Sequence, residues 1–151
     1  MKAVLQRVTT ASVEVDGVVV GKIGKGLVVL VGVAADDTAK DATVLLDRIL
    51  NLRIFSDAEG KFNLSALDTK AELLLVSQFT LLADVKKGRR PSFTSAAPAP
   101  QAEALFEFFV CQASASGLKV DTGRFQAHMM VNIHNDGPVT LLLDSQTWLP
   151  R

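Results

Sequence analysis

Leu27-Val28-Val29-Leu30-Val31-Gly32-Val33 is apolar throughout, interrupted only by Gly32. A short run of this kind suits a strand buried on both faces, because neither set of alternating side chains meets water. Upstream, Gly24-Lys25-Gly26 reads as a turn, and 18–23 as the strand before it. Asp16-Gly17 is a hairpin signal, since both residue types tolerate the positive φ of a tight two-residue turn. Val13 and Val15 alternate with Ser12 and Glu14, the pattern of a half-buried strand. Val4, Leu5 and Val8 suggest an opening strand.

Downstream, Thr38 is placed to cap a helix with its hydroxyl, and Asp41 stands three residues later, as in a short capping box. Ala42, Leu45, Leu46 and Ile49 follow helical spacing and form its core stripe. Residues 52–55 look like a strand and Asp57-Ala58-Glu59-Gly60 like a turn. Residues 73–76 form a second buried strand, which delivers Ser77-Gln78-Phe79-Thr80-Leu81 at its C-terminal end. Gly88, Pro91, Pro98 and Pro100 make 86–100 a loop. A second helix is predicted from Gln101 to about Ser116, with Leu105, Phe108, Phe109 and Ala113 inward and Gly117 closing it. A short strand at 119–121 follows, then one in which Met129, Val131 and Ile133 alternate with polar neighbours. Asn135-Asp136-Gly137-Pro138-Val139-Thr140 reads as the next turn, and 139–143 closes the sheet. The expected fold is α+β: a curled or barrel-like, mostly antiparallel sheet with two main helices. The whole chain, 1–151, reads as one domain, with 146–151 as a C-terminal tail carrying Trp148.

A chain of 151 residues can bury about 70% of its unfolded surface, so it needs neither disulfides nor metal to fold. Sixteen Lys and Arg balance sixteen Asp and Glu, which argues against an extended nucleic-acid groove but leaves room for contact with one RNA end. Cys111 is the single cysteine, and its neighbours Phe108, Phe109 and Val110 mark it as a buried structural thiol. No segment approaches the roughly 20 apolar residues of a membrane helix, and no signal peptide is evident. The expected location is the cytoplasm.

Several chemistries have weak support. His128 and His134 are the only histidines; six apart on a strand, they lie roughly 20 Å from one another on its solvent face, too far to share an ion. No Gly-x-Ser-x-Gly motif appears, and neither Ser77 nor Thr80 has an evident general base. No phosphate loop is present. No metal or cofactor is therefore expected. Lys86-Lys87-Gly88-Arg89-Arg90 is the one basic cluster, and its arginines suit phosphate. Gly137-Pro138 is open between a trans hairpin turn and a cis bend that aims carbonyls into a pocket.

Ser77 to Leu81 and Asn135 to Thr140 resemble the two signature motifs of the D-aminoacyl-tRNA deacylases. Further matches are Gln6-Arg7-Val8, Ala11-Ser12-Val13, Leu52-Arg53-Ile54-Phe55, Arg90-Pro91-Ser92-Phe93 and Thr122-Gly123-Arg124-Phe125, in order along nearly the whole chain. The resemblance implies a homodimer with active sites at its interface, acting on the acceptor end of aminoacylated tRNA. Gly137 and Pro138 would form a cis pair that enters the partner's pocket, captures the amino group of a D-residue and excludes an L side chain. Arg7 would hold that loop. Ser77, Gln78, Phe79 and Thr80 would form the opposing catalytic wall, with Thr80 in a positioning role. Phe125 and Met129 would line the seat of the terminal adenosine, while Arg89 and Arg90 contact tRNA phosphates. The tRNA's own 2′-hydroxyl would assist attack on the ester. Glycine mischarged on tRNA(Ala) would also be removed. Gln126 and His128 depart from the family, where small and acidic residues are common. The alternative is a non-catalytic homodimeric binding module for D-amino acids or RNA ends.

Overall fold

The computed structural model describes residues 1–149. Its elements run β1 (Lys2–Val15), β2 (Val18–Ile23), β3 (Gly26–Gly32), α1 (Ala39–Asn51), β4 (Phe55–Ser56), β5 (Phe62–Leu64), α2 (Ala66–Thr69), β6 (Glu72–Ser77), α3 (Ala99–Ala115), β7 (Val120–Thr122) and β8 (Met130–Asp144). β1 is the spine of the main sheet. It pairs antiparallel with β3 through its first half, with β2 through its second half, and with β8 along nearly its whole length. β6 then adds to β3, and β7 to β6, both in parallel. The curl brings β7 back beside β2, where the Lys22 N–H donates to Asp121 Oδ2 at 2.8 Å. The result is a nearly closed, mostly antiparallel sheet, as the sequence predicts.

The apolar run on β3 is buried on both faces. Leu27, Val29 and Val31 join Leu73 and Leu75 beneath the helices, against Ala42, Leu45 and Ile49 of α1 and Phe109 of α3. Val28 points the other way, into a second cluster with Val8, Val13, Leu74 and Val76. That period of two makes both strands near-continuously apolar. Gly26 has a further role as the point of closest strand approach: a Cβ there would lie 1.8 Å from the Glu72 carbonyl oxygen.

Several local expectations are corrected. The 52–55 strand shrinks to β4, paired with β5, which carries no strong sequence signal. α3 starts at Ala99, with Pro98 as its N-cap. Its buried face is Leu105, Phe106, Phe109 and Ala113, whereas Phe108 is 37% exposed. Phe106, Phe109 and Ala113 keep the i, i+3, i+7 spacing, and Phe108 turns outward from them. Cys111 lies on the same outer side and is exposed, not buried. At α1 the Thr38 hydroxyl donates to Asp41 Oδ2 at 3.0 Å, and the same carboxylate accepts the Thr38 N–H at 2.9 Å.

Asn135–Thr140 departs furthest from its reading. No hairpin forms there, because β8 continues along β1 on both sides of the segment. Val8 pairs with Asn135 and Gln6 with Thr140, so five steps along β8 span two along β1. The surplus residues loop out as a bulge, the usual way an extra stretch of strand is accommodated without breaking the ladder.

The segment after β8 turns back onto the molecule. The buried Ser145 hydroxyl accepts from the Met1 ammonium at 2.6 Å and donates to Asp41 Oδ1 at 2.7 Å, while the ammonium reaches Asp37 Oδ1 at 2.5 Å. Trp148 packs at the core edge with the Arg48 guanidinium 5.2 Å above its ring. The last part of the expected tail, residues 150 and 151, lies outside the described residues.

Glu72 braces the sheet where it nearly closes. Its carboxylate accepts from the Gly24 N–H at 2.7 Å and from Lys119 Nζ at 3.0 Å. Those two hydrogen bonds hold its pKa below the ordinary glutamate value of 4.5. A lowered folded-state pKa gives stability that is present above the unfolded value and lost as pH falls through the folded one. Glu72→Gln is therefore expected to cost about 0.5–1 kcal/mol at neutral pH, the scale of a partly exposed pair. Thermal melts from pH 7 down to about pH 3 should show the two proteins converging in acid. A constant gap across that range would contradict this account.

Candidate active site

β6 is buried from Leu73 to Val76, and its C-terminal end carries the chain to the surface at Ser77. The Gln78 N–H donates to the Val31 carbonyl at 2.7 Å, extending the β3 pairing by one step. A short 3-10 turn over Phe79–Leu82 begins there. The Leu81 N–H closes the turn onto the Gln78 carbonyl at 3.2 Å. The opening N–H groups of such a turn have no partner within it, and here they belong to Phe79 and Thr80. The Gln78 side-chain amide donates to Thr80 Oγ1. Phe79 is 57% exposed and meets Phe93 edge-on with ring centroids 4.9 Å apart.

A cavity of about 580 Å³ opens beside this turn. Val31, Val33, Val76 and Phe106 give it an apolar floor. Ser77, Gln78 and Phe79 form one wall, and Phe125, Gln126, His128 and Met129 the other. The second wall comes from the link between β7 and β8, so two segments far apart in sequence converge because β7 lies beside β6. The apolar floor with a few polar groups at the rim is the usual form of a small-ligand site. Phe106 carries no distinguishing signal in the sequence, because helical spacing with Leu105 suits Phe108 equally well.

Arg7 sits elsewhere, 8% exposed, against the β8 bulge. Its Nε donates to the Asp136 carbonyl at 3.1 Å and its Nη1 to the Ile54 carbonyl at 2.7 Å. The Asp136 carboxylate is 3.5 Å away, and the Phe62 ring lies under the guanidinium at 5.2 Å. Asn135 ties the bulge from within: its Oδ1 accepts the Val139 N–H at 2.7 Å and its Nδ2 donates to the Val139 carbonyl at 3.2 Å. The Gly137-Pro138 bond is cis, and both residues are exposed.

The structure thus brings Ser77, Gln78, Phe79, Phe125 and Met129 together around one cavity. Thr80, Arg7, Gly137 and Pro138 do not line it. Arg89 and Arg90 are exposed on a loop pinned at its base by paired Asp84 and Ser92 backbones. His134 is exposed on β8 as expected, whereas His128 precedes that strand and is exposed at the cavity rim. Among the described residues, no group of three or more His, Cys, Asp or Glu is gathered as a metal site, and no helix is long and apolar enough to cross a membrane.

The family model for D-Tyr-tRNA(Tyr) deacylase matches residues 4–144. A protein of Kosmotoga olearia named D-aminoacyl-tRNA deacylase is 60% identical over 146 residues, covering 97% of this chain and 98% of that one. A solved structure of a protein called c-Myc DNA unwinding element binding protein superposes with a TM-score of 0.90 at 45% identity, over 95% of this chain and 98% of the other. The fold recurs, at 20% identity and a TM-score of 0.82, in a protein described as a probable eukaryotic D-amino acid tRNA deacylase, with 95% and 98% of the two chains covered. The chain belongs to the D-Tyr-tRNA(Tyr) deacylase family.

Proposed function

We propose that this protein hydrolyses the ester of D-aminoacyl-tRNA, releasing the free D-amino acid and tRNA, and that it also removes glycine from mischarged tRNA(Ala). The observation that carries the reading is the cavity that joins the Ser77-Gln78-Phe79 wall to Phe125 and Met129, in a chain of this family. The terminal adenosine takes the Phe125–Met129 side, and the aminoacyl ester lies toward Ser77 and Phe79. The backbone N–H of Phe79 then faces the oxyanion that develops when the ester carbonyl is attacked. The 2′-hydroxyl of the terminal ribose assists that attack, so the protein's contribution is positioning and charge stabilisation. Thr80, already engaged with the Gln78 amide, positions the wall and forms no covalent intermediate.

Gly137 and Pro138 act in a second copy of the chain. They are exposed and outside their own subunit's cavity, which suits a homodimer in which each bulge enters the partner's pocket. Their carbonyls hold the amino group, and their bulk leaves no space for an L side chain. Exclusion of this kind gives selectivity beyond what weaker contacts alone provide. Arg89 and Arg90 take acceptor-stem phosphates, and the enzyme works in the cytoplasm beside translation.

Chelator-treated protein should deacylate D-tyrosyl-tRNA, with L-tyrosyl-tRNA spared. Thr80→Ala should lose far less than the ~100-fold or more expected when a residue essential to proton transfer is removed. Equal turnover of both esters, or of neither, would sink the chiral reading. Failure of turnover with retained binding would favour the binding module.

A further inference from the structure

We propose that Gln126 reads the base edge of the nucleotide seated on Phe125 and Met129, and so makes the site selective for adenine. The inference deepens the deacylase reading and rests on it for the identity of the ligand. Three observations carry it. Gln126 lines the cavity between Phe125 and His128. It is exposed at the rim, and its carboxamide makes no hydrogen bond among the described residues. The cavity's other carboxamide, Gln78, is occupied by Thr80.

The backbone adds a fourth. Ala127 N–H closes a turn onto the Arg124 carbonyl at 3.2 Å, and Gln126 occupies its third position with φ +61°. A positive φ at that position ordinarily calls for glycine or asparagine. A longer side chain held there, at the mouth of an apolar pocket, points to a use for its carboxamide. Phe125 and Met129 give a flat base a surface to lie on. A glutamine carboxamide matches adenine along one edge, donating to N7 and accepting from the N6 amino group. Guanine presents two acceptors on that edge, so one of the two contacts is lost.

The test is equilibrium binding of adenosine monophosphate, 7-deaza-adenosine monophosphate and guanosine monophosphate, followed by NMR titration. Wild type should bind adenosine monophosphate roughly 3- to 10-fold more tightly than the 7-deaza compound, the scale of one neutral hydrogen bond. Gln126→Gly suits the backbone and should erase that preference. Gln126→Glu keeps the shape but sets an oxygen against N7, and should favour the 7-deaza compound. Absence of binding, absence of the preference in wild type, or its persistence in Gln126→Gly would overturn the inference. Deacylation of D-tyrosyl-tRNA on the same samples reports separately on the enzyme reading. Intact base preference without turnover would sink that reading and leave this one standing.

Discussion

Changing Arg7 to alanine is expected to cut hydrolysis of the D-ester by about 100-fold and to lower the melting temperature by about 6–12 °C. The stability loss follows from burial. The Arg7 guanidinium serves the carbonyls of Ile54 and Asp136 together, and alanine leaves both without that donor. An unsatisfied buried carbonyl costs about 1–3 kcal/mol. Loss of the alkyl stem and of the Phe62 contact brings the total to about 3 kcal/mol. The activity loss follows from position. Arg7 ties the β8 bulge to the 52–55 segment, so without it Gly137 and Pro138 are free to shift, and misplacement by about 1 Å is enough for a 100-fold effect. Arg7→Lys separates the two consequences. It retains charge and stem but lacks a fork to reach both carbonyls, so it should recover part of the melting temperature and little of the rate. Calorimetry beside single-turnover deacylation measures both. A destabilised Arg7→Ala with wild-type rate and chirality would show that the bulge has no part in the site.

Gly137→Ala should lose about 10- to 100-fold in kcat/KM for the D-ester, beyond what its loss of stability explains. Gly137 has φ +139°, and an added Cβ would lie 2.7 Å from Val139 Cγ2, 3.0 Å from the Val139 nitrogen and 3.3 Å from Arg7 Nη2. Val139 cannot yield easily, because it is buried and held at both its N–H and its carbonyl by Asn135. The bulge must move instead, at a stability cost of about 1–3 kcal/mol. Gly60→Ala is the control: its φ is +76°, and nothing lies within 4 Å of the added Cβ. That variant carries backbone strain without displacing the bulge, so its melting point should fall while its rate and selectivity stay at wild type. Matching behaviour in the two variants would remove Gly137 from the chemistry.

Local rules carried much of the sequence reading because local physics decides those features. The Asp16-Gly17 turn, the α1 stripe of Ala42, Leu45, Leu46 and Ile49, and the doubly buried β3 and β6 each announce themselves within one short window. Where two neighbouring aromatics compete for one face, as Phe106 and Phe108 do on α3, the choice depends on what lies opposite, and the window is silent. Cys111, three residues on from Phe108, turns outward with it, and its apolar neighbours in sequence do not reveal that.

The amino-acid sequence by itself determined the doubly buried strands β3 and β6, the two long helices and the family motifs. Only the tertiary structure decided that Asn135–Thr140 bulges out of a continuous strand, since whether a chain reverses depends on β1 pairing beyond the segment as well as before it. It gave Arg7 its two carbonyl partners beneath that bulge and brought Phe125, Gln126 and Met129 around one cavity with Ser77. Those contacts join residues remote along the chain, and they exist because β6 and β7 run in parallel: parallel neighbours cannot be linked by a tight turn, so the connection between them is long and its partners are fixed by the packed sheet.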